Sequence, residues 1–202
     1  MINFDNTTFI KSCVDKIDDY KEDLQEVLFL GRSNVGKSSL INLLTNKNRL
    51  AFVSSKPGHT RLLNYYLVDT KFFLVDAPGY GYSAIDKKFY LEYEKMMDKY
   101  FDNNKNLKLV VLLIDSRRGI GDYEQDLFDY FNYKQVKFAI VFTKTDKTNQ
   151  SDRAKLKNEV KKYVNDIDTN AIFYSRNDRA NSLDLFIWLL YNIERTILPY
   201  NA

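Results

Sequence analysis

The segment FLGRSNVGKSSLINLL, residues 29–44, gives the strongest indication of the fold of this chain. Its inner segment GRSNVGKS (31–38) matches the pattern GxxxxGK[ST] and lies between an apolar run and a segment of helical periodicity. Glycines allow successive backbone N–H groups to turn around a phosphate, and the N-terminus of the following helix adds a positive end. We therefore expect Lys37 to reach the β- and γ-phosphates of a nucleotide and Ser38 to bind Mg²⁺. The alternative is an ordinary strand-to-helix turn, and the flanking strand and helix favour the phosphate-binding loop.

Short apolar runs alternate with amphipathic segments along the rest of the chain. The predicted strands cover 26–31, 61–68, 71–77, 107–115, 136–143 and 170–175, and the predicted helices cover 37–46, 87–102, 121–133, 151–166 and 182–197. In the last helix we expect one buried stripe made of Leu183, Phe186, Ile187, Leu190 and Ile193. Only 61–68 and 71–77 are joined by a tight link, Asp69-Thr70, so these two strands are predicted to pair as an antiparallel hairpin.

This order of elements predicts an α/β fold. We expect a mostly parallel six-stranded sheet with one antiparallel strand and with helices on both faces. Ligands of such sheets bind beyond the carboxyl ends of the strands. The functional residues should therefore follow the strands directly.

The composition is that of a soluble globular protein, with 202 residues of which 45% are hydrophobic and 28% are charged. The net charge of +3 is compatible with an anionic partner but is too small to identify one. Cys13 is the only cysteine, which excludes an intrachain disulfide and a cysteine metal cluster. The sequence has no secretion signal and no apolar run of membrane-spanning length, so we expect a cytoplasmic protein without a membrane partner.

The segment DAPG (76–79) follows the predicted strand KFFLV as a DxxG motif. We expect Asp76 to hold Mg²⁺ through a water molecule and the Gly79 N–H to sense a γ-phosphate. A plain turn is the alternative. Downstream of a phosphate-binding loop, the functional interpretation is favoured.

The segment TKTD (143–146) ends another apolar strand and predicts guanine recognition. The Asp146 carboxylate can accept hydrogen bonds from the ring N–H and the 2-amino group of guanine, and adenine offers neither donor. The stem of Lys144 can cover the base. After the last strand, YSR (174–176) either offers Ser175 and backbone amides to the guanine carbonyl or ends an edge strand without a ligand contact.

The segment VSSKPGHTRLLNYY lies between the first helix and the hairpin and carries Thr60. Thr60 is the candidate to close over Mg²⁺ when a γ-phosphate is present, as a first switch. Pro57 and Gly58 would also suit a plain mobile loop, and His59 is most simply a solvated loop residue. We favour the switch.

With these motifs in order, the chain resembles the TRAFAC GTPases of the TrmE/Era group. It is most similar to the EngB-type GTPases (the YihA/YsxC group), which are single-domain bacterial ribosome-assembly factors. The segments that carry the resemblance are GRSNVGKSSLIN, KPGHTR, DAPGYGY, LLIDSRRG and VFTKTDK, and the resemblance spans about residues 24–197. It implies one GTPase domain over residues 1–202, a role in maturing the large ribosomal subunit, and a link to cell division and septation. We also expect a monomer.

The resemblance also implies a set of site residues, with GTP or GDP and Mg²⁺ as ligands. The residues implied to bind the nucleotide are Gly31, Arg32, Ser33, Asn34, Val35, Gly36, Lys37, Ser38, Ser39, Pro57, Gly58, His59, Thr60, Asp76, Ala77, Pro78, Gly79, Thr143, Lys144, Thr145, Asp146, Tyr174, Ser175 and Arg176. The candidate catalytic residues are Lys37, Thr60 and Gly79, and the candidate Mg²⁺ ligands are Ser38, Thr60 and Asp76. Three segments depart from the family pattern. Thr143 stands where asparagine is usual, Ser175-Arg176 stands where the family has paired serines, and Tyr and Phe occupy 89–93, where the family tends to carry a tryptophan.

Hydrolysis in isolation is expected to be slow, because Tyr80 stands where Ras-like enzymes carry the glutamine that orients water. Asn34 matches relatives in which an asparagine helps to seat a K⁺ ion that takes the electrostatic role of an arginine. The alternative is that Asn34 only shapes the loop.

A γ-phosphate is predicted to order both switch loops into one surface for ribosomal RNA. Its cations and aromatic rings would be Lys56, Arg61, Lys87, Lys88, Tyr80 and Tyr82. Two other functions stay open. The first is a GTP-loaded scaffold in cell division with negligible turnover, which measured turnover with and without ribosomal subunits would separate. The second is a metabolic P-loop kinase, which would need an acceptor site and a phosphate-clamping lid, and TKxD argues against it.

Overall fold

The computed structural model describes residues 2–14, 24–51, 62–81, 87–102, 104–177 and 179–197. The chain forms two compact units, Met1–Lys108 and Leu109–Ala202. None of the helices within the described residues is long and apolar enough to cross a membrane.

The described part of the first unit contains four strands in the order β1-β3-β4-β2. The elements are β1 (Thr7–Cys13), β2 (Gln25–Gly31), α1 (Lys37–Leu44), β3 (Leu63–Val68), β4 (Phe72–Asp76) and α2 (Lys87–Phe101). β2 runs parallel to β4, whereas β3 runs antiparallel to both β1 and β4. The register pairs Phe29 with Asp76, so the chain that leaves β2 starts beside the end of β4.

The core of the first unit is built from nearly continuous apolar strands. Val27, Leu28 and Phe29 of β2 are fully buried, and every residue of β4 is buried as well. Strands that are covered on both faces have this composition. α1 packs Leu40, Ile41 and Leu44 inward, and it ends where the Thr45 hydroxyl donates to Ile41 O at 2.9 Å.

The predicted hairpin is confirmed, with β3 and β4 joined by a tight turn. Asp69 and Thr70 have φ of 48° and 55°, and Lys71 N donates to Val68 O at 2.9 Å. Two successive positive φ angles are typical of the primed turns that match the twist of a hairpin. Asn3 N also donates to the Asp69 carboxylate at 3.1 Å, which holds the N-terminal segment against this turn.

The C-terminal end of α2 is fixed by a buried carboxylate. Glu26 of β2 is 2% exposed and accepts from Tyr100 Oη at 2.7 Å and from Asn104 Nδ2 at 3.1 Å. Burial, together with the neighbouring Glu26, raises the pKa of the Tyr100 phenol well above its usual range. The phenol therefore keeps its proton and its donor role, and α2 is attached to β2 at this end.

The strands of the second unit are all parallel and lie in the order β5-β6-β7. Its elements are β5 (Leu107–Asp115), α3 (Asp122–Tyr133), β6 (Lys137–Thr143), a 3₁₀ turn (Thr145–Lys147), α4 (Gln150–Val160), α5 (Ile167–Asn170), β7 (Ala171–Phe173) and α6 (Arg179–Ile197). Asp115 is in register with Thr143, and Phe142 with Phe173. The carboxyl ends of these strands therefore meet at one edge, where the predicted functional segments begin.

The α/β fold class is confirmed, and the described residues contain seven strands where six were predicted. The additional strand is β1, whose sequence TTFIKSC has an irregular burial pattern. Its only large apolar side chains are the neighbours Phe9 and Ile10, so the sequence shows no strand periodicity. Pairing with β3 makes it a strand, despite a register shift between Phe9 and Lys11. The helix predicted for 151–166 is divided in the structure: α4 ends at Val160, and Asp166 caps the separate helix α5 by accepting from Asp168 N at 3.0 Å.

The predicted buried stripe of α6 is confirmed only at Ile193, because Leu183 and Ile187 are exposed and Phe186 and Leu190 are half-buried. Leu183 and Ile187 are 62% and 56% exposed, whereas Leu185 and Leu189 are fully buried. Ile193 is buried as predicted. The sequence LDLFIWLL is apolar around most of the helix, so the spacing alone does not choose the face that turns inward.

Candidate functional site

The loop between β2 and α1 has the backbone of a phosphate-binding loop. Asn34 has φ of 63° and Gly36 has φ of 113°, and the loop closes with Val35 N donating to Arg32 O at 3.1 Å. Gly36 precedes the first residue of α1, and Leu40 N donates to Gly36 O at 2.9 Å. The positive φ at Gly36 requires glycine, because a side chain there would be strained. The predicted residues 31–39 thus form one continuous segment made of the end of β2, the loop and the first residues of α1.

Lys37 is the first residue of α1 and is buried. Its Nζ donates to Oδ1 of Asp76, the last residue of β4. Asp76 is also buried, so this ion pair has little contact with water. The structure therefore brings together two of the predicted site residues, and each neutralises the other.

The segment after β4 is joined to the phosphate-binding loop by backbone hydrogen bonds. Ser33 N donates to Tyr80 O at 2.9 Å, Tyr80 N donates to Gly31 O at 3.2 Å, and Ser33 Oγ donates to Gly79 O at 3.1 Å. At Gly79 an added Cβ would lie 2.8 Å from Ser33 N, Cα and Oγ. The glycine of the DxxG motif is therefore required by a close approach to the loop, in addition to any role toward a γ-phosphate.

Tyr80 corrects one detail of the predicted RNA surface. Its side chain is 5% exposed, and the Arg32 guanidinium lies 5.9 Å from its ring centroid. A buried ring cannot stack on an unpaired base, so Tyr80 is removed from the predicted surface. Tyr82 and the other switch candidates, 56–61, lie outside the described residues.

The TKTD segment of the second unit begins at the end of β6, and its two threonines fix its backbone. Thr143 is buried, and its carbonyl accepts from Ser116 N at 3.0 Å and from Ser116 Oγ at 2.7 Å. Thr145 is buried too, with its N–H donating to Tyr174 O at 3.3 Å. Lys144 adopts φ of 58° between them. The two threonines thus hold the backbone, and the side chains of Lys144 and Asp146 are only partly buried.

Asp146 is held by the segment that follows β7. Ser175 Oγ donates to its Oδ1 at 2.9 Å, and Asn177 Nδ2 donates to its Oδ2 at 3.0 Å. These donors, with Ser175 contributing most, lower the pKa of the Asp146 carboxyl, which therefore stays ionised. Ser175 is buried, as is Tyr174, whereas Arg176 is exposed. The Ser175 hydroxyl is thus directed at Asp146, and both alternatives for YSR, a contact with guanine and an edge-strand end without one, stay predictions.

Asp115, at the end of β5, orients the lysine of the TKTD segment. Its Oδ2 accepts from Lys144 Nζ at 2.9 Å and from Arg117 Nη2 at 2.7 Å, and its Oδ1 accepts from Arg117 Nε at 2.9 Å. Burial by itself would raise the pKa of Asp115, but the hydrogen bonds from Arg117 and Lys144 outweigh it and hold the pKa well below its usual range. The carboxylate therefore fixes two cations beside the candidate base site.

Sequence reasoning missed three residues of this arrangement. Asp115, Arg117 and Asn177 are not among the site residues that the motifs predict. The segment LLIDSRRG was already a marker of the family resemblance, and this was the available signal for Asp115 and Arg117. For Asn177 no signal existed, because its role depends on the approach of two segments that are far apart in the chain.

The residues of the first unit fit a bound Mg²⁺. The described residues contain no group of three or more His, Cys, Asp or Glu side chains that could hold a metal ion. Mg²⁺ usually takes one or two protein oxygens, keeps several waters and relies on substrate phosphates. The Ser38 hydroxyl, next to Lys37, and the second oxygen of Asp76 supply ligands of this kind. Thr60 lies outside the described residues, as do Pro57, Gly58 and His59.

Comparison with known proteins places these features in a family. The model of the family described as "50S ribosome-binding GTPase" matches residues 26–144. "Probable GTP-binding protein EngB" of Aquifex aeolicus is 45% identical over 145 residues, which cover 71% of this chain and 79% of the relative. The protein of the same description from Mycoplasma capricolum is 39% identical over 172 residues, covering 85% of this chain and 84% of the relative.

A solved structure gives the same fold. The crystal structure of a probable GTP-binding protein engB matches with a TM-score of 0.68 at 24% identity, covering 84% of this chain and 99% of that chain. At this identity the structural similarity supports the fold alone, and membership of the family rests on the relatives that are similar in sequence.

Proposed function

The chain belongs to the EngB family of GTP-binding proteins, among the 50S ribosome-binding GTPases, and on this premise we propose that it is a single-domain switch that assists assembly of the large ribosomal subunit. Membership makes it a GTPase. The proposal extends to a link with cell division and septation, and to a monomer that acts in the cytoplasm. The observation that supports the switch is the set of hydrogen bonds between the DxxG segment and the phosphate-binding loop. A ligand that moves one of these segments must move the other.

In the proposed binding mode, residues 31–39 hold the phosphates of GTP or GDP. Lys37 exchanges its contact with Asp76 for phosphate oxygens, which releases Oδ1 of Asp76. Ser38 and, through water, Asp76 would hold Mg²⁺, with Thr60 as a further ligand in the GTP state, and the bound ion would neutralise charge on the phosphates. The Gly79 N–H is then the candidate sensor of a γ-phosphate.

The base is proposed to bind at Asp146. Its carboxylate, kept ionised by Ser175 and Asn177, accepts from the ring N–H and the 2-amino group of guanine. Lys144, held by Asp115, covers the base with its aliphatic stem. Competition titrations test this step. Asp146→Asn should lose GDP and gain xanthosine diphosphate, because the C2 oxygen of xanthine can accept from the new amide. Equal affinities of the wild type for ATP and GTP would refute it.

Hydrolysis is proposed to be slow without a partner. The side chain after Gly79 is the buried Tyr80, which has no amide to orient a water molecule. GTPases without a completed catalytic site turn over at about 10⁻⁴ to 10⁻² per second. Turnover measured with and without ribosomal subunits tests the proposal. A rate indistinguishable from zero in both conditions would favour the non-catalytic scaffold instead.

Binding to the large subunit is proposed to depend on the nucleotide, because the predicted surface exists only when both switch loops are ordered. Sedimentation of purified large subunits with the protein in each nucleotide state is the deciding experiment. We expect more protein to pellet with a non-hydrolysable GTP analogue than with GDP, and less as the salt concentration rises. Lys87→Ala/Lys88→Ala should reduce pelleting without changing GDP affinity. Equal pelleting with both nucleotides would leave the GTPase in place and refute the switch.

A further inference from the structure

Both oxygens of the Asp146 carboxylate are already engaged within the protein. Ser175 Oγ donates to Oδ1 at 2.9 Å and Asn177 Nδ2 donates to Oδ2 at 3.0 Å. The two donors belong to one short segment, in which Asn177 N also donates to Ser175 Oγ at 3.2 Å. The Ser175 hydroxyl therefore accepts from Asn177 and donates to Asp146. Asp146, Ser175 and Asn177 form a closed triangle that we call the carboxylate clamp.

We propose that Asn177 is a specificity-determining positioning residue, which holds the Asp146 carboxylate in the orientation that accepts both guanine donors at once. An ionised carboxylate has about four acceptor positions, two on each oxygen. The carboxylate clamp occupies one position on each oxygen. The Asp146 N–H and Lys147 Nζ also interact with this carboxylate. With each oxygen held by one donor of the carboxylate clamp, the two oxygens can together face the two parallel donors of guanine, the ring N–H and the 2-amino group. The inference rests on the proposed guanine site at Asp146.

Ser175 alone would not fix this orientation. A carboxylate held at Oδ1 can still turn about that contact, and Lys147 Nζ lies 3.5 Å from Oδ2. Lys147 is 62% exposed, so it can pull Oδ2 toward solvent. Asn177 holds Oδ2 against this pull through a neutral donor at hydrogen-bond distance. Loss of this orientation should weaken a base with two donors most, since a carboxylate that turns can still accept from a single donor.

Inosine diphosphate supplies the test, because hypoxanthine keeps the ring N–H of guanine and lacks the 2-amino group. In Asn177→Ala, GDP affinity should fall about tenfold, the size of one hydrogen bond to a charged group, and inosine diphosphate affinity should fall less. The preference for GDP over inosine diphosphate therefore narrows. Asn177→Asp keeps the shape but places a second carboxylate at contact distance from Oδ2, so GDP affinity should fall further than in Asn177→Ala.

Asn132→Ala is the matched control. Asn132 is exposed, donates one hydrogen bond to Tyr163 O at 3.4 Å, and lies before β6, whereas Asp146 follows that strand. The control should keep both nucleotide affinities, and thermal unfolding of all variants should show that each remains folded. A general loosening of the second unit would weaken GDP and inosine diphosphate by the same factor.

The outcomes separate the inference from the proposed site. If Asp146→Asn keeps full GDP affinity, the guanine site itself is wrong. If Asp146→Asn loses GDP while Asn177→Ala behaves like the control, the site stands and the inference is overturned. Equal losses for GDP and inosine diphosphate in Asn177→Ala would also overturn it, as would wild-type affinity in Asn177→Asp. A narrowed preference with an unchanged control supports the carboxylate clamp.

Discussion

Replacing Gly79 by alanine tests whether this glycine is required by packing or only by a γ-phosphate. The new Cβ would lie 2.8 Å from the N, Cα and Oγ of Ser33, and ordinary contact begins at 3.4 Å, so the loop must move by about 0.6 Å. Two of the three atoms are backbone, and a rotamer change of Ser33 cannot relieve them. Overpacking of this kind costs ~1–3 kcal/mol. Loss of the Ser33 Oγ hydrogen bond to Gly79 O adds ~1 kcal/mol, so the free energy of unfolding should fall by about 2–4 kcal/mol.

The same displacement should weaken GDP binding, although GDP has no γ-phosphate. The backbone N–H groups of the phosphate-binding loop would shift with Ser33, and we expect a loss of about 10- to 100-fold, equivalent to one to three weakened hydrogen bonds. Urea unfolding without nucleotide and calorimetric titration with GDP measure the two effects. If Gly79→Ala keeps its stability and its GDP affinity and loses only the affinity for a GTP analogue, the packing argument is refuted.

Gly81→Ala is the matched control for this experiment. Gly81 has φ of 81°, and a Cβ there would meet only the Arg32 side chain, at 3.6 Å or beyond. The strain of the positive φ should cost ~1–2 kcal/mol of stability, but Ser33 has no reason to move, so GDP affinity should change by less than about threefold. Adding Ser33→Gly to Gly79→Ala should not restore binding, because the backbone contacts remain.

Three further predictions follow from the ion pairs and from the loop. Lys37→Ala leaves Asp76 buried without its cation and should lower the free energy of unfolding by ~3–5 kcal/mol in urea titrations without nucleotide. In Lys37→Ala/Asp76→Ala the loss should be smaller than the sum of the two single losses, and strict additivity would contradict the ion pair. The pKa of Asp115 is lowered in the folded state, so its stabilising effect is present above about pH 4 and is lost as the pH falls further. Thermal midpoints between pH 5 and 2 should therefore fall less steeply in Asp115→Asn, which should also weaken GDP binding by releasing Lys144. If a K⁺ ion binds at Asn34, turnover should be faster in KCl than in NaCl at equal ionic strength, and Asn34→Ala should remove the difference; a wild type indifferent to the cation would end the idea.

Local sequence patterns predict the motifs and most of the elements, whereas β1 and the short helix α5 are not predicted. Strands such as Leu107–Asp115 and Lys137–Thr143 are short apolar runs, and their limits were predicted within one residue because burial on both faces requires a continuous run. The phosphate-binding loop was equally local, since glycine spacing and the following helix lie within one stretch of sequence. Features that depend only on residues close together in the sequence can be predicted from the sequence.

Contacts between distant side chains depend on how the strands pack together. Lys37 and Asp76 are 39 residues apart, and Asp146 and Ser175 are 29 apart. These pairs form because parallel register sets the carboxyl ends of β2 beside β4 and of β6 beside β7. Register is chosen by the packing of whole strands and by the length of their connections, and neither is visible at the residues that come together. The role of Asn177 and the inward face of α6 belong to the same class, because an exposed amide or an apolar helix offers several partners and only the assembled unit selects one.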